Sequence, residues 1–416
     1  MRKVLKFGAL GVCSLLFAVA LSAPAFAQTC DDANRTELYN TYVGNYQGNL
    51  EQKQKAVDAA KEFVRLCASE EIAADQVAYF KGAIPQLEQG IKDEKERLAK
   101  QKLADEEKAR FDRFMKAFAA KNYDELFASA DEILKYPPVA RNDFLDLRIL
   151  VAATGGDLAA SNPPVTKFDD QTVRYAQDAI SRINAGEESG SKKWGGYNTK
   201  ENALGWLNYA IGYIKYYDKK DKDGGIAYYY KATQFDSTTK SHYPLYATIG
   251  GWYKGKMAEI GAKRSALDIT ETAGENQKAN IDQALKYLAM EKGYANRAMD
   301  AYARAYNIAK NTKGVPESAK SSLYDSLKQL WDFRYSSPQD EDKRNDESIN
   351  SFIASVNSNS LPNPASEVQP VVEKIETEEP ADKASDGTSE GATSGQINGQ
   401  RSRTVDNATA KKTGNF

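Results

Sequence analysis

Residues 201–237 read ENALGWLNYAIGYIKYYDKKDKDGGIAYYYKATQFDS. On each side of a short polar turn, apolar and aromatic residues recur at steps of three and four. That spacing lines one face of a helix, so the stretch predicts two amphipathic helices joined by the turn. A helix pair this thin cannot bury its apolar face alone and must stack on neighbouring pairs. Where two helices cross closely, small side chains are needed, and Gly212, Gly225 and Ala232 supply them.

The second helix of the stretch resembles the back half of a tetratricopeptide repeat (TPR). That family places small residues seven apart, as Gly225 and Ala232 stand here. Its first helix carries a large apolar residue, then Gly or Ala, then an aromatic three further on. Ile249, Gly250 and Tyr253 follow that spacing. Ile211 and Gly212 begin it again, with the aromatic displaced by one to Tyr216. Gly212 and Gly250 lie 38 positions apart, against a family period of about 34 residues. Two further stretches have the same character. Glu291, Lys292, Gly293 and Tyr294, followed by Arg297 and Ala298, read as a turn and second-helix start, with Ala305 seven beyond. Residues 121–126 read as another turn, with Pro138 ending the helix. The resemblance implies an all-α, right-handed superhelix of stacked antiparallel helix pairs over residues 28–357. It also implies a groove lined by first helices. There Tyr209, Tyr213 and Tyr216 would face inward, joined by Tyr287. The competing reading packs these rings between helices, and a one-residue slip turns each helix by about 100°.

The 416 residues, 27% charged and 41% hydrophobic, suffice for a sizeable core. A net charge of −2 argues against a nucleic-acid binder, which carries a basic face. Arg2, Lys3 and Lys6, then an apolar run over 7–21 and Ala25-Phe26-Ala27, spell a cleavable export signal over residues 1–27. Val12 and Thr29 precede Cys13 and Cys30 where a lipoprotein signal wants a small residue. A freely exported chain, periplasmic or secreted, is therefore expected, with no membrane span after cleavage. Cys30 and Cys67 then remain in an oxidising compartment, and a disulfide between them is expected. The alternative makes Cys67 a small buried helix residue.

Residues 32–68 read as a hairpin, with one stripe through Tyr39, Tyr42, Val43 and Tyr46. Pro85 reads as a helix start, and residues 86–120 as a long solvated helix. Residues 155–164 read as a Gly, Ser and Pro loop, and 281–309 as a late hairpin. From residue 358 onward the composition turns to Pro, Glu, Ser, Thr, Gly and Asn, which predicts a disordered tail over 358–416.

Three constellations hint at chemistry and are read as structural. Residues 250–256 carry the G-x4-G-K spacing of a phosphate loop, but Met257 stands where the magnesium-binding Ser or Thr belongs. Asp221 and Asp223 resemble part of a calcium loop, but Lys219 and Tyr230 occupy its end positions. His242 is the lone histidine, expected at the surface near a helix entrance. No catalytic, cofactor or metal residue is assigned. The expected function is an exported, non-enzymatic scaffold binding a protein or peptide in its groove. A cell-envelope glycan binder using the tyrosines as a stacking platform is the alternative.

Overall fold

The computed structural model describes residues 29–139 and 144–372, and among them every regular element is helical. The expected export signal and the chain from residue 373 onward lie outside the described residues. Two units divide the chain, residues 1–108 and 109–416.

In the first unit, α1 (Asp32–Asn45) and α2 (Leu50–Cys67) pack together and meet the start of α3 (Ala74–Ala119). Both hairpin helices start on side-chain caps that satisfy otherwise orphaned amides. Asp31 accepts from the Asn34 amide, and Asn49 and Gln52 form a reciprocal capping box. Phe63 and Tyr42 each place a ring 4.9 Å from Phe80, and Ala56 and Ala60 leave room for them. Cys30 and Cys67 are joined by a disulfide, with their Cα atoms 5.1 Å apart. Closing a loop of that length removes about 4 kcal/mol of unfolded-chain entropy. Lys53 and Lys61 reach from α2 to Glu94 and Glu88 on α3 at 2.7 and 2.6 Å. Of the expected α1 stripe, Tyr42 is buried but Tyr39 and Val43 are exposed. Pro85 starts no helix; it lies inside α3, which runs unbroken through it. Leu98 and Leu103 on the charged part of α3 are exposed, as a solvated helix requires.

The second unit continues with α4 (Tyr123–Leu134), α5 (Phe144–Ala160), α6 (Asp169–Asn184) and α7 (Lys200–Tyr213). A π-helical turn (Ile214–Asp218) leads to α8 (Lys222–Gln234). Then follow α9 (Tyr243–Ser265), α10 (Gln277–Asn311), α11 (Glu317–Arg334) and α12 (Asp346–Ser355). Each of α4 to α10 packs on the next in sequence, and α5 also touches α7 while α10 also touches α12. Two buried cores result. One gathers Phe114, Leu126, Phe127, Leu145, Ile149 and Leu207; Phe127 stacks on Phe168 at 4.2 Å. The other is rich in tyrosine and alanine, with Tyr209, Tyr229, Tyr253, Ala298 and Ala305 around Leu327 and Leu330.

Two expected boundaries are corrected. The helix α5 passes through Gly155 and Gly156 instead of ending before a loop. A methyl group at Gly155 would run into Thr172 of α6, and one at Gly156 would lie 2.8 Å from Ala210 of α7. These glycines are contact points, where backbone must come close, and not breakers. Likewise the expected late hairpin is one helix, α10, with no turn at 291–294. Gly293 there admits a different neighbour: a methyl group at that position would overlap the main-chain carbonyl of Gln369. Residues 359–372 carry no helix or strand, make one turn at 364–366 and pack against α10, with Leu361 and Val368 buried. The packed body thus reaches past residue 358.

The polar connection before α7 is ordered by one buried carboxylate. Asp146 on α5 accepts from the Ser189 and Ser191 hydroxyls at 2.7 and 2.8 Å and from the Ser191 and Gly195 amides at 3.0 Å. Four donors on one carboxylate close the loop over α5 and bury Trp194 beneath it.

Candidate interaction site

The helix pair α7–α8 crosses at two glycines. A methyl group at Gly212 would lie 3.2 Å from the Gly225 carbonyl. One at Gly225 would lie 2.8 Å from the backbone nitrogen of Tyr216 and 2.9 Å from the Gly212 carbonyl. Backbone therefore meets backbone, which no larger residue allows. A second close crossing joins α9 to α10, where Gly250 faces the Tyr302 ring at a would-be 2.7 Å. The run 250–256 is thus interior to the helix α9, its amides spent on helical bonds, and it forms no phosphate loop.

After Tyr213 the chain makes one wide turn. The Lys219 amide donates to the Ile214 carbonyl five residues back, at 2.9 Å. Such a turn carries one residue more than the α-helix. The Gly–aromatic spacing of α7 is one residue longer than that of α9, and this turn is where the extra residue is absorbed.

The turn decides what each tyrosine does. Tyr209, in α7 proper, is buried; its hydroxyl lies 3.1 Å from His242 Nε2 and its ring 5.4 Å from Tyr229. It is a core residue, and the groove position expected for it is corrected. Tyr213 is half-buried with its ring 4.9 Å from Tyr217, whose hydroxyl is 2.9 Å from the Thr248 hydroxyl of α9. Tyr216, within the turn, reaches the wall of a cleft of about 320 Å3 together with Lys220, Asp223, Trp252, Lys256 and Glu259. Tyr287 is half-buried on α10 and belongs to neither this cleft nor the tyrosine core. The sequence had grouped four tyrosines; one of them meets the cleft.

Burial sets the electrostatics. It pushes the Tyr213 and Tyr216 hydroxyls up to about 12 and the Tyr209 hydroxyl higher still, so all three stay neutral donors. His242 is not the surface histidine expected. Packed edge-on to Tyr209 at 4.9 Å and against Trp206 at 5.4 Å, it is pushed down to about 4 by burial and is uncharged at neutral pH. Asp223 accepts from Trp252 Nε1 at 2.8 Å and from Lys256 Nζ at 3.3 Å, and the Trp252 bond holds its carboxyl below the usual range. Asp221 caps α8 through the Gly224 amide and pairs with Lys215 at 2.7 Å. Both acids of the apparent calcium loop are therefore structural. Among the described residues no group of three His, Cys, Asp or Glu side chains converges as metal ligands do. No helix among them is long and apolar enough to cross a membrane.

A second polar constellation was not anticipated. Arg297 of α10 donates to the Asn363 and Glu367 carbonyls at 3.3 and 3.1 Å and to the Ser366 hydroxyl at 3.0 Å. Arg304, one side of α10 further on, is neutralised by Asp300 and donates to the Val356 and Asn359 carbonyls, both at 2.7 Å. The signal in the sequence was faint: Leu361 and Val368 interrupt an otherwise polar, proline-bearing run.

Comparison with protein-family models, with curated proteins and with solved structures finds no match to this chain.

Proposed function

We propose that the protein is an exported, non-enzymatic TPR-like scaffold that binds a protein or peptide partner. In this reading α5–α6, α7–α8 and α9–α10 are successive antiparallel pairs of a right-handed superhelix. The glycine contacts at 155, 212, 225 and 250, within pairs, and at 156, between the first pair and the second, support it. The disulfide between Cys30 and Cys67 supports an oxidising destination.

The observation that carries the reading is the cleft beside Tyr216 and Trp252. Two large rings with polar tips stand among Lys220, Lys256 and Glu259. Rings of this kind give contact area at small entropic cost, and the charges around them give orientation. The same aromatic and polar mixture favours the alternative, a cell-envelope glycan stacked on the rings.

Tyr216→Ala tests the site. Its ring is half-buried, so the helical circular dichroism spectrum should persist while capture of envelope proteins by the purified chain weakens at least tenfold. Unchanged capture would remove the cleft from the proposal. Retention on a glycan array that Tyr216→Ala abolishes would transfer the site to the alternative.

A further inference from the structure

The segment 359–372 lies on α10 as a bound peptide would. After a turn at 364–366, closed by the Ser366 amide on the Asn363 carbonyl at 2.9 Å, it runs from Glu367 to Val372 without helix or turn, and most of what holds it is main chain. Arg297 reads the carbonyls of Asn363 and Glu367, and the Val371 amide donates to the Ala289 carbonyl at 2.8 Å. The Gln369 carbonyl presses on Gly293, the one residue of this face whose missing side chain permits the approach. Val368 is 7% exposed and is the apolar anchor at the same point. Leu361 is buried as well, ahead of the turn; from Glu367 onward, main-chain capture with one buried side chain is how extended peptides are recognised with loose dependence on sequence.

The fit is incomplete at one end. Beside Pro370, Val371 and Val372 an apolar cavity of about 370 Å3 opens against Leu285, Leu288 and Met290 of α10. Val372 leaves most of its surface exposed, at 78%. A ligand carrying a larger apolar residue three or four positions after the Val368 position would bury that surface as well.

We propose that the α10 face formed by Ala289, Gly293 and Arg297 is a site for a short peptide segment without helix or turn, filled here by the chain's own residues 367–372. The partner that fits is an extended segment with an aliphatic residue in the Val368 place and a larger apolar residue near the 371–372 place. This rests on the reading of the protein as a peptide binder but uses a surface distinct from the Tyr216 cleft. The tethered segment competes at an effective concentration on the order of millimolar, so an outside peptide binds well only when the tether is weakened or its own fit is better.

The test uses the full chain and a fluorescein-labelled synthetic peptide of residues 359–372, followed by fluorescence anisotropy. Val368→Asp in the chain should loosen the tethered copy and tighten peptide binding at least tenfold over wild type. Adding Arg297→Gln to that chain should lose the gain. Equal binding by wild type and the Val368→Asp chain, or binding indifferent to Arg297, overturns the proposal. If Val368→Asp does not fold, the wild-type chain decides. Amide exchange at residues 367–371 should rise with millimolar peptide, and unchanged exchange overturns the site. Repeating the titration with Tyr216→Ala separates the two surfaces: peptide binding here should not change even if the cleft proposal fails.

Discussion

The two cores of the second unit solve one problem with different chemistry. Around Phe127 the chain packs phenylalanine, leucine, isoleucine and alanine, and Phe127 meets Phe168 ring to ring. Around Tyr229 it packs tyrosines, and their hydroxyls need partners: His242 for Tyr209 and Thr248 for Tyr217. Among the described residues the first core holds a single buried tyrosine, Tyr175, whose hydroxyl donates to Asp131 at 2.5 Å. A core of tyrosines couples to titrating groups and carries aromatic surface outward to the cleft at Tyr216. The lesson is that a surface cleft can be the rim of a core, with no separate element built for it.

Three measurements would break or sharpen this contrast. The largest effect is expected from Phe127→Ala. The fully buried ring leaves a cavity, and urea unfolding should show a loss of about 3–5 kcal/mol. A loss below 1 kcal/mol would mean that the stacked pair is not the centre of its core. Next comes acid. His242 sits at about 4 in the folded chain against an ordinary 6.5. Its folded value is depressed, so the unfolded chain takes up the proton first as pH falls. Stability is fully present above pH 6.5 and is lost as pH falls from there toward 4, by about 2–3 kcal/mol. Comparing Tm at pH 7 and pH 4.5 in wild type and His242→Gln isolates this share, because other acid-sensitive groups act in both. A pH dependence unchanged by the substitution would contradict the buried, neutral imidazole. The smallest effect is expected from Gly250→Leu, which overpacks the contact with Tyr302 at about 1–3 kcal/mol. An unaltered Tm would deny that the α9–α10 crossing depends on that glycine.

Much of the helical order was legible from spacing alone. Residues 32–67 and 200–234 carry three- and four-residue periodicity, and each is a pair of helices joined by a short turn; residues 121–126 read as a turn, yet α4 begins at Tyr123, capped by Asn122. Glycine was where legibility failed. At 155 and 293 the sequence reads as a break, because a glycine that lets chains touch looks identical to one that lets a chain turn. What separates them is the partner, Thr172 in one case and the Gln369 carbonyl in the other, and the second lies 76 positions away in sequence. The tyrosines failed for another reason. Tyr209 and Tyr216 are seven apart, which an unbroken α-helix would stack on one face. The wide turn at 214–218 shifts the register between them, so that one ring enters the core and the other meets the cleft. Segment 359–372 reads as tail because composition carries no trace of Arg297, which holds it.

That wide turn has a genetic corollary. Removing one codon within 214–218 would restore ordinary helical winding and rotate the downstream rings by about 100° relative to α7. A different tyrosine would then confront Gly225, and the cleft would inherit a new aromatic wall. One missing residue at this turn would therefore change which ring stands at the cleft without altering any other side chain.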